Sequence, residues 1–126
     1  MSEQNSVLAR ETNDKAATEQ INYLCDFGDR LAAGDTIATV TGNDANGNAL
    51  GAIDSTGDLT ISSVAANGSQ VTVDGVAVAA NEGLQYTVYG GTAGDLYTIV
   101  CRVVTTNGET LEVRCRLRIV PDANAL

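Results

Sequence analysis

At 126 residues the chain is long enough for one domain with a modest core. Sixteen acidic residues against seven basic ones give a net charge of −9, which argues against nucleic acid as a partner, since phosphate binding needs a concentrated cationic footprint. The absence of His excludes Ser-His-Asp and Cys-His catalysis and histidine metal sites, and with no Trp and only 4% aromatics the core must be built from Val, Ile, Leu and Ala.

Residues 1–19 are polar and lack a sustained period, although Asp14 before Lys15-Ala16-Ala17 is able to cap a helical turn. They read as an extended N-terminal arm, either a disordered tail or a segment that orders only against a neighbouring subunit. This stretch has no apolar h-region, and no apolar run in the chain is long enough to span a bilayer, so synthesis in a cytoplasm without a membrane partner is expected. The first strand follows, with Ile21, Tyr23, Cys25 and Phe27 alternating with Asn22, Leu24, Asp26 and Gly28. Leu31 to Asp35 turns the chain into a second strand, Thr36 to Thr41.

From Gly42 to Asp58 the composition shifts to Asn, Asp and Gly and predicts a long exposed loop or loose hairpin. Asp44, Asn46 and Asn48 suggest a calcium loop, but Ala49 stands where the turn glycine belongs and the terminal bidentate Glu is missing, so these read as solvated turn residues. Short strands are then predicted over residues 59–64, 70–73, 76–79 and 84–89, punctuated by Asn67-Gly68 and Asp74-Gly75, at the spacing of an all-β sandwich. Gly90-Gly91-Thr92-Ala93-Gly94 leads into Tyr97, the position of a tyrosine corner in immunoglobulin-like folds, or else of a simple core aromatic.

The last hairpin, Tyr97 to Val120, carries the strongest pattern. Tyr97, Ile99, Cys101 and Val103 alternate with polar or outward residues, as do Leu111, Val113, Cys115, Leu117 and Ile119. A two-residue Asn107-Gly108 loop would set core residues opposite charges, so parity requires an odd loop. Three residues, Thr106-Asn107-Gly108, with Gly108 left-handed in a G1 bulge, pair Val103 with Leu111, Cys101 with Val113, Tyr97 with Leu117 and Arg102 with Glu112. Pro121 stops the last strand, leaving a C-terminal tail of residues 121–126.

The same register makes Cys101 and Cys115 diagonal neighbours at ~7–8 Å, too far for a disulfide. With no signal peptide and no His, all three cysteines read as free, buried and apolar in character. A carboxylate pair drawn from Asp54, Asp58 and Asp74 is the one hydrolytic arrangement left open, with surface solubility the simpler explanation of these acids. No basic residue lies between Leu31 and Cys101, whereas Arg114, Arg116 and Arg118 share one face of the final strand, giving a basic stripe on an acidic body. These three, with Arg10 and Lys15 of the arm, are the candidate partner-binding residues. Tyr97, Gly94 and Gly108 are structural candidates, and no catalytic, cofactor or metal residue is assigned.

Tyr23-x-x-Asp26 leading to Leu31-Ala32-Ala33-Gly34-Asp35-Thr36-Ile37, then Gly90-Gly91-Thr92-Ala93-Gly94-x-x-Tyr97-Thr98-Ile99, then Thr105-Thr106-x-Gly108 resemble the short immunoglobulin-like virion proteins of tailed bacteriophages. The resemblance spans about residues 20–120. It departs where Phe27 stands in place of a frequent Trp and in the long 42–58 insertion. It implies a non-enzymatic virion component made in the host bacterial cytoplasm, with no cofactor. The fold expected is all-β, a single immunoglobulin-like (fibronectin-III-like) antiparallel β-sandwich over residues 20–120, preceded by the arm. The function expected is capsid decoration or cementing. Its alternatives are a neck, tail or head-fibre component, or a carbohydrate-binding adhesive module using the 42–58 loop with Tyr86 or Tyr89. Expected partners are the major capsid protein or neck and tail proteins, together with self-association as a homo-oligomer.

Overall fold

The computed structural model describes residues 6–9 and 12–121, and among these there is no helix. Alternation in the sequence becomes eleven strands: β1 (Ser6–Leu8), β2 (Thr12–Ala16), β3 (Gln20–Asp26), β4 (Ile37–Thr39), β5 (Gly51–Asp54), β6 (Leu59–Ala66), β7 (Val71–Val73), β8 (Val76–Val78), β9 (Gly83–Gly90), β10 (Leu96–Thr105) and β11 (Thr110–Val120). They form two main sheets. Sheet A has the order β1-β3-β9-β6, and sheet B runs β2-β11-β10-β4 with β5 also pairing β10. Between them lies one apolar core, in which Tyr23, Cys25, Phe27, Leu84, Tyr86 and Val88 of the sheet A side meet Tyr97, Ile99, Cys101, Val103, Cys115, Leu117 and Ile119 of sheet B. The molecule is therefore an all-β sandwich.

The β10–β11 hairpin has the register that parity demands, with Val103 opposite Leu111, Cys101 opposite Val113, Arg102 opposite Glu112 and Tyr97 opposite Leu117. Its three-residue loop is closed by Thr105 N donating to Glu109 O at 2.8 Å, and Gly108 sits at φ +87°, where a side chain would be strained. At the far end of this hairpin the Tyr97 hydroxyl accepts from Thr92 N at 2.9 Å and donates to Asp58 Oδ2 at 3.2 Å. Gly94 N donates to Ile119 O at 2.7 Å. Gly91, at φ +99°, is needed for space as well as for turning. A Cβ at Gly91 would lie 2.7 Å from Ile119 Cγ1.

Two further segments quoted for the resemblance also meet each other. Asp35, buried at the corner before β4, accepts from Thr36 N at 2.9 Å, Asn107 N at 3.2 Å and the Thr106 hydroxyl, while Thr106 N donates to Thr36 O at 2.9 Å. These bonds favour the carboxylate and lower its pKa, the Thr106 hydroxyl contributing most. The recurring residues thus fasten the corner at residues 31–36 to the β10–β11 turn.

The N-terminal residues differ from the extended arm expected of them. β1 pairs in parallel with β3, and β2 pairs in parallel with β11, so the segment gives an edge strand to each sheet. Pairing satisfies backbone groups that β3 and β11 would otherwise leave open along one side. Leu8, Lys15 and Ala16 are buried as a result. The 42–58 segment likewise contains a strand, β5, whose Ala52 faces Cys101.

The outer face of sheet A carries a second, smaller core. Leu24 points away from the sandwich interior, yet it is fully buried beneath the β7–β8 hairpin with Leu8, Val71, Val73 and Val78. Buried Asn67 holds that hairpin down: its Nδ2 donates to Ala79 O at 2.9 Å, Ser69 O at 3.2 Å and Val78 O at 3.3 Å, and its Oδ1 accepts from Gly83 N at 2.8 Å. The two amide protons are thus shared among three carbonyls, and the amide oxygen takes one backbone N–H beside the hairpin.

Candidate functional site

Alternation along β11 buries Cys115, Leu117 and Ile119 and therefore turns Arg114, Arg116 and Arg118 to the outer face of sheet B. Their cross-strand neighbours on β10 are Val100, Thr98 and Leu96, and Val100 is flanked in turn by Ile53 of β5. Leu96 is 57% exposed, one of only two large apolar side chains so open among the described residues. The face is thus a row of arginines beside a row that is apolar at its two ends, Val100 and Leu96, with Thr98 between them.

Two acids temper the row. Arg114 Nε lies 2.8 Å from Glu112 Oε2, and Arg118 Nε lies 3.0 Å from Asp14 Oδ1. Glu112 also receives Arg102 through Nη2 at 2.8 Å, and its pKa is lowered by Arg114 first and Arg102 second. Arg102 Nη1 in addition donates to Ala49 O at 2.6 Å, which ties the 42–50 loop to this sheet. Arg116 stands between the two pairs with no ion pair among the described residues, so the face keeps a net positive charge on an acidic molecule.

The remaining candidates are placed elsewhere. Lys15 does not face outward for a partner: it is buried, and its ammonium donates to Ala16 O at 2.7 Å and Glu19 O at 2.8 Å, closing the turn between β2 and β3. Burial lowers its pKa, with Glu19 opposing the shift. Arg10 lies outside the described residues. The adhesive reading required exposed tyrosines near the 42–58 loop, but Tyr86 is 2% exposed and its ring is packed in the core. Tyr89 is open on sheet A, whereas the loop is anchored to sheet B. Asp44 folds that loop on itself, accepting from Asn48 N at 2.8 Å and Asn46 N at 2.9 Å, which is why the Asn-rich stretch is a set of turns.

The acids considered for hydrolysis serve as structural acceptors, Asp54 within its own turn and the other two between distant segments. Asp54 accepts from Thr56 Oγ1 and Leu59 N, Asp58 from Tyr97, and Asp74 from Leu8 N at 3.0 Å. A polar groove of about 410 Å³ lies over β3 and β9, lined by Gln20, Asn22, Tyr23, Ser63, Gln85, Tyr86 and Thr87, none of them charged.

One grouping was not foreseen from the sequence. Cys25 of β3, Cys101 of β10 and Cys115 of β11 meet in the core, with all three sulfurs within 4.8 Å of one another. Cys25 and Cys101 hold their protons far above the ordinary thiol range through bonds to neighbouring sulfur and burial, whereas bonds from Cys101 and then Cys25 lower the pKa of Cys115. The alternation in each strand signals burial of each cysteine, but nothing local signals that Cys25 crosses to the other two.

The comparison with protein families decides the class of the molecule. A family model described as "Podophage GP4 fiber-tail adaptor protein gp77" matches residues 15–118. The chain belongs to this family. Comparisons with curated proteins and with solved structures gave no match. Membership of the fiber-tail adaptor family makes the chain a structural protein of the bacteriophage virion, with other virion proteins as partners. It favours the tail-and-fibre alternative over capsid decoration, and a structural adaptor family is in keeping with a non-enzymatic role.

Proposed function

We propose that this chain is a tail-associated adaptor that helps to join fibre to tail in a podophage virion, and that the outer face of sheet B is one of its docking surfaces. The observation that carries the docking surface is the row Arg114, Arg116 and Arg118 beside Ile53, Val100 and Leu96. Such a face supplies desolvatable apolar side chains and cationic groups that align an acidic partner. Its backing is stiff, because β11 is paired on both sides, by β10 and β2. The family match supports the adaptor role and the exposed row supports the surface.

The test uses particles assembled without this protein and then supplied with purified full-length chain. Wild type should attach at the tail end in a particle reconstruction, less so as salt rises and screens the arginines. Arg114→Glu combined with Arg116→Glu should attach poorly while still unfolding in one cooperative thermal transition. Full attachment of that double variant would reject the docking face. Density spread over the capsid surface would reject the tail position and restore the decoration reading.

A further inference from the structure

The three converging cysteines are not explained by a docking role. An aliphatic core has no need of sulfur, and Ile99, Val103, Leu117 and Ile119 fill comparable positions on the same hairpin. Here Cys25 and Cys115, separated by 90 positions in sequence, bring their sulfurs to 4.0 Å, and Cys101 completes a triangle within 4.8 Å. One corner belongs to sheet A and two belong to sheet B. All three residues are buried, at 1%, 0% and 4% exposure for Cys25, Cys101 and Cys115.

That spacing matches a coordination sphere. Thiolates ~2.3 Å from a zinc-class ion lie ~3.8–4.0 Å apart, so the Cys25–Cys115 pair already stands at ligand spacing and the third sulfur needs a shift of under ~1 Å. A disulfide, by contrast, requires sulfurs at ~2.05 Å and would leave one of the three thiols without a role. Thiolate donors select soft ions over calcium or magnesium. Tyr86, itself buried, lies in the same core cluster as the three cysteines.

We propose that Cys25, Cys101 and Cys115 form a buried site for one thiophilic divalent d¹⁰ ion of the zinc class, which ties sheet A to sheet B at the centre of the sandwich. On binding, each thiol gives up its proton to solvent as its sulfur bonds the metal, so three S–H bonds are exchanged for three metal–sulfur bonds without any change of oxidation state. Three thiolates around a divalent ion leave one negative charge on the site. Because the sulfurs are sealed from solvent, the ion enters as the sheets close, during folding.

The experiment follows from that order of events. Full-length chain is denatured under reducing conditions and refolded with Zn(II), with Co(II) or with a chelator, then desalted. The expected result is one metal ion retained per chain, a thermal midpoint higher than that of the chelator-refolded protein, and an intense sulfur-to-cobalt charge-transfer band in the Co(II) sample. The band and the stoichiometry are read on wild type and so do not depend on a variant that folds. Cys115→Ser should lose both the band and the gain in midpoint. Retention of no metal, with equal midpoints for the zinc- and chelator-refolded samples, would overturn the proposal. So would a Cys25–Cys115 disulfide in the mass spectrum of the freshly isolated chain.

Discussion

The two outer faces of the sandwich are built from similar strands and end in opposite conditions. On sheet A, Leu24 breaks the outward-polar alternation of β3, and the β7–β8 hairpin lies over it, sealed by the neutral amide of Asn67. On sheet B nothing among the described residues covers Leu96, and the cross-strand positions hold arginines met by Glu112 and Asp14. The first face is finished by apolar burial and neutral hydrogen bonds. The second is balanced by exposed charge, which a macromolecular partner can replace at low cost. The difference is why the proposed docking surface is the charged face of sheet B rather than the hairpin-covered part of sheet A.

The largest effect should come from removing what both faces share at their edges. Deleting residues 1–17 takes β1 from sheet A and β2 from sheet B, opening the edges of β3 and β11 and losing the burial of Leu8, Lys15 and Ala16. An independent arm would leave a folded remainder. The paired strands instead predict a truncated chain without a cooperative thermal transition, measured by circular dichroism, and a wild-type midpoint in that chain would show the N-terminal strands to be dispensable.

A matched pair of leucines sharpens the contrast between the faces themselves. Leu24→Ala empties the cluster beneath β7–β8 and should cost about 2–5 kcal/mol. Leu96→Ala removes a side chain that is 57% exposed and should change stability by less than about 0.5 kcal/mol, while weakening attachment to tails. Denaturant midpoints on both variants, set beside particle binding, separate stability from docking. Similar losses of stability from the two would erase the distinction.

Why one face was legible in the sequence and the other was not follows from the kind of signal each leaves. The β10–β11 register is written twice, in parity and in Gly108, because a one-residue slip would bury arginine. The arginine stripe was visible for the same reason. The covered face left only a hint: Leu24 at an outward position, with apolar Val71, Val73 and Val78 far along the chain. β2 reads as polar, TNDKA, because it is an edge strand whose burial is concentrated at Lys15 and Ala16, and a lysine that turns back onto carbonyls of its own turn has no sequence signature. β5 is four residues inside a glycine- and asparagine-rich stretch. The thiol cluster depends on how two sheets stack, which no strand period encodes. As for the role on the particle, the exposed row is compatible with any virion surface, and it was the family match that turned the reading from head to tail.

A change of pH tests the charged side of the comparison. Glu112 is the hub of the open face, bonded to Arg102 and Arg114, and its carboxyl is held below its ordinary 4.5 by Arg114 and then Arg102. The unfolded chain therefore takes up this proton at a higher pH than the folded chain does. The stabilisation from the pairs is complete above 4.5 and is lost as the pH falls through the lower folded value. Because the pairs are partly exposed, Glu112→Gln should cost less than about 1 kcal/mol at neutral pH and low salt, and that difference should shrink toward zero in acid and at high salt. The Leu24→Ala deficit, arising from a cavity among neutral side chains, should hold steady across the same range. A Glu112→Gln deficit as indifferent to pH and salt as that of Leu24→Ala would mean the open face is held by packing rather than charge, and the case for an electrostatic docking surface would fall with it.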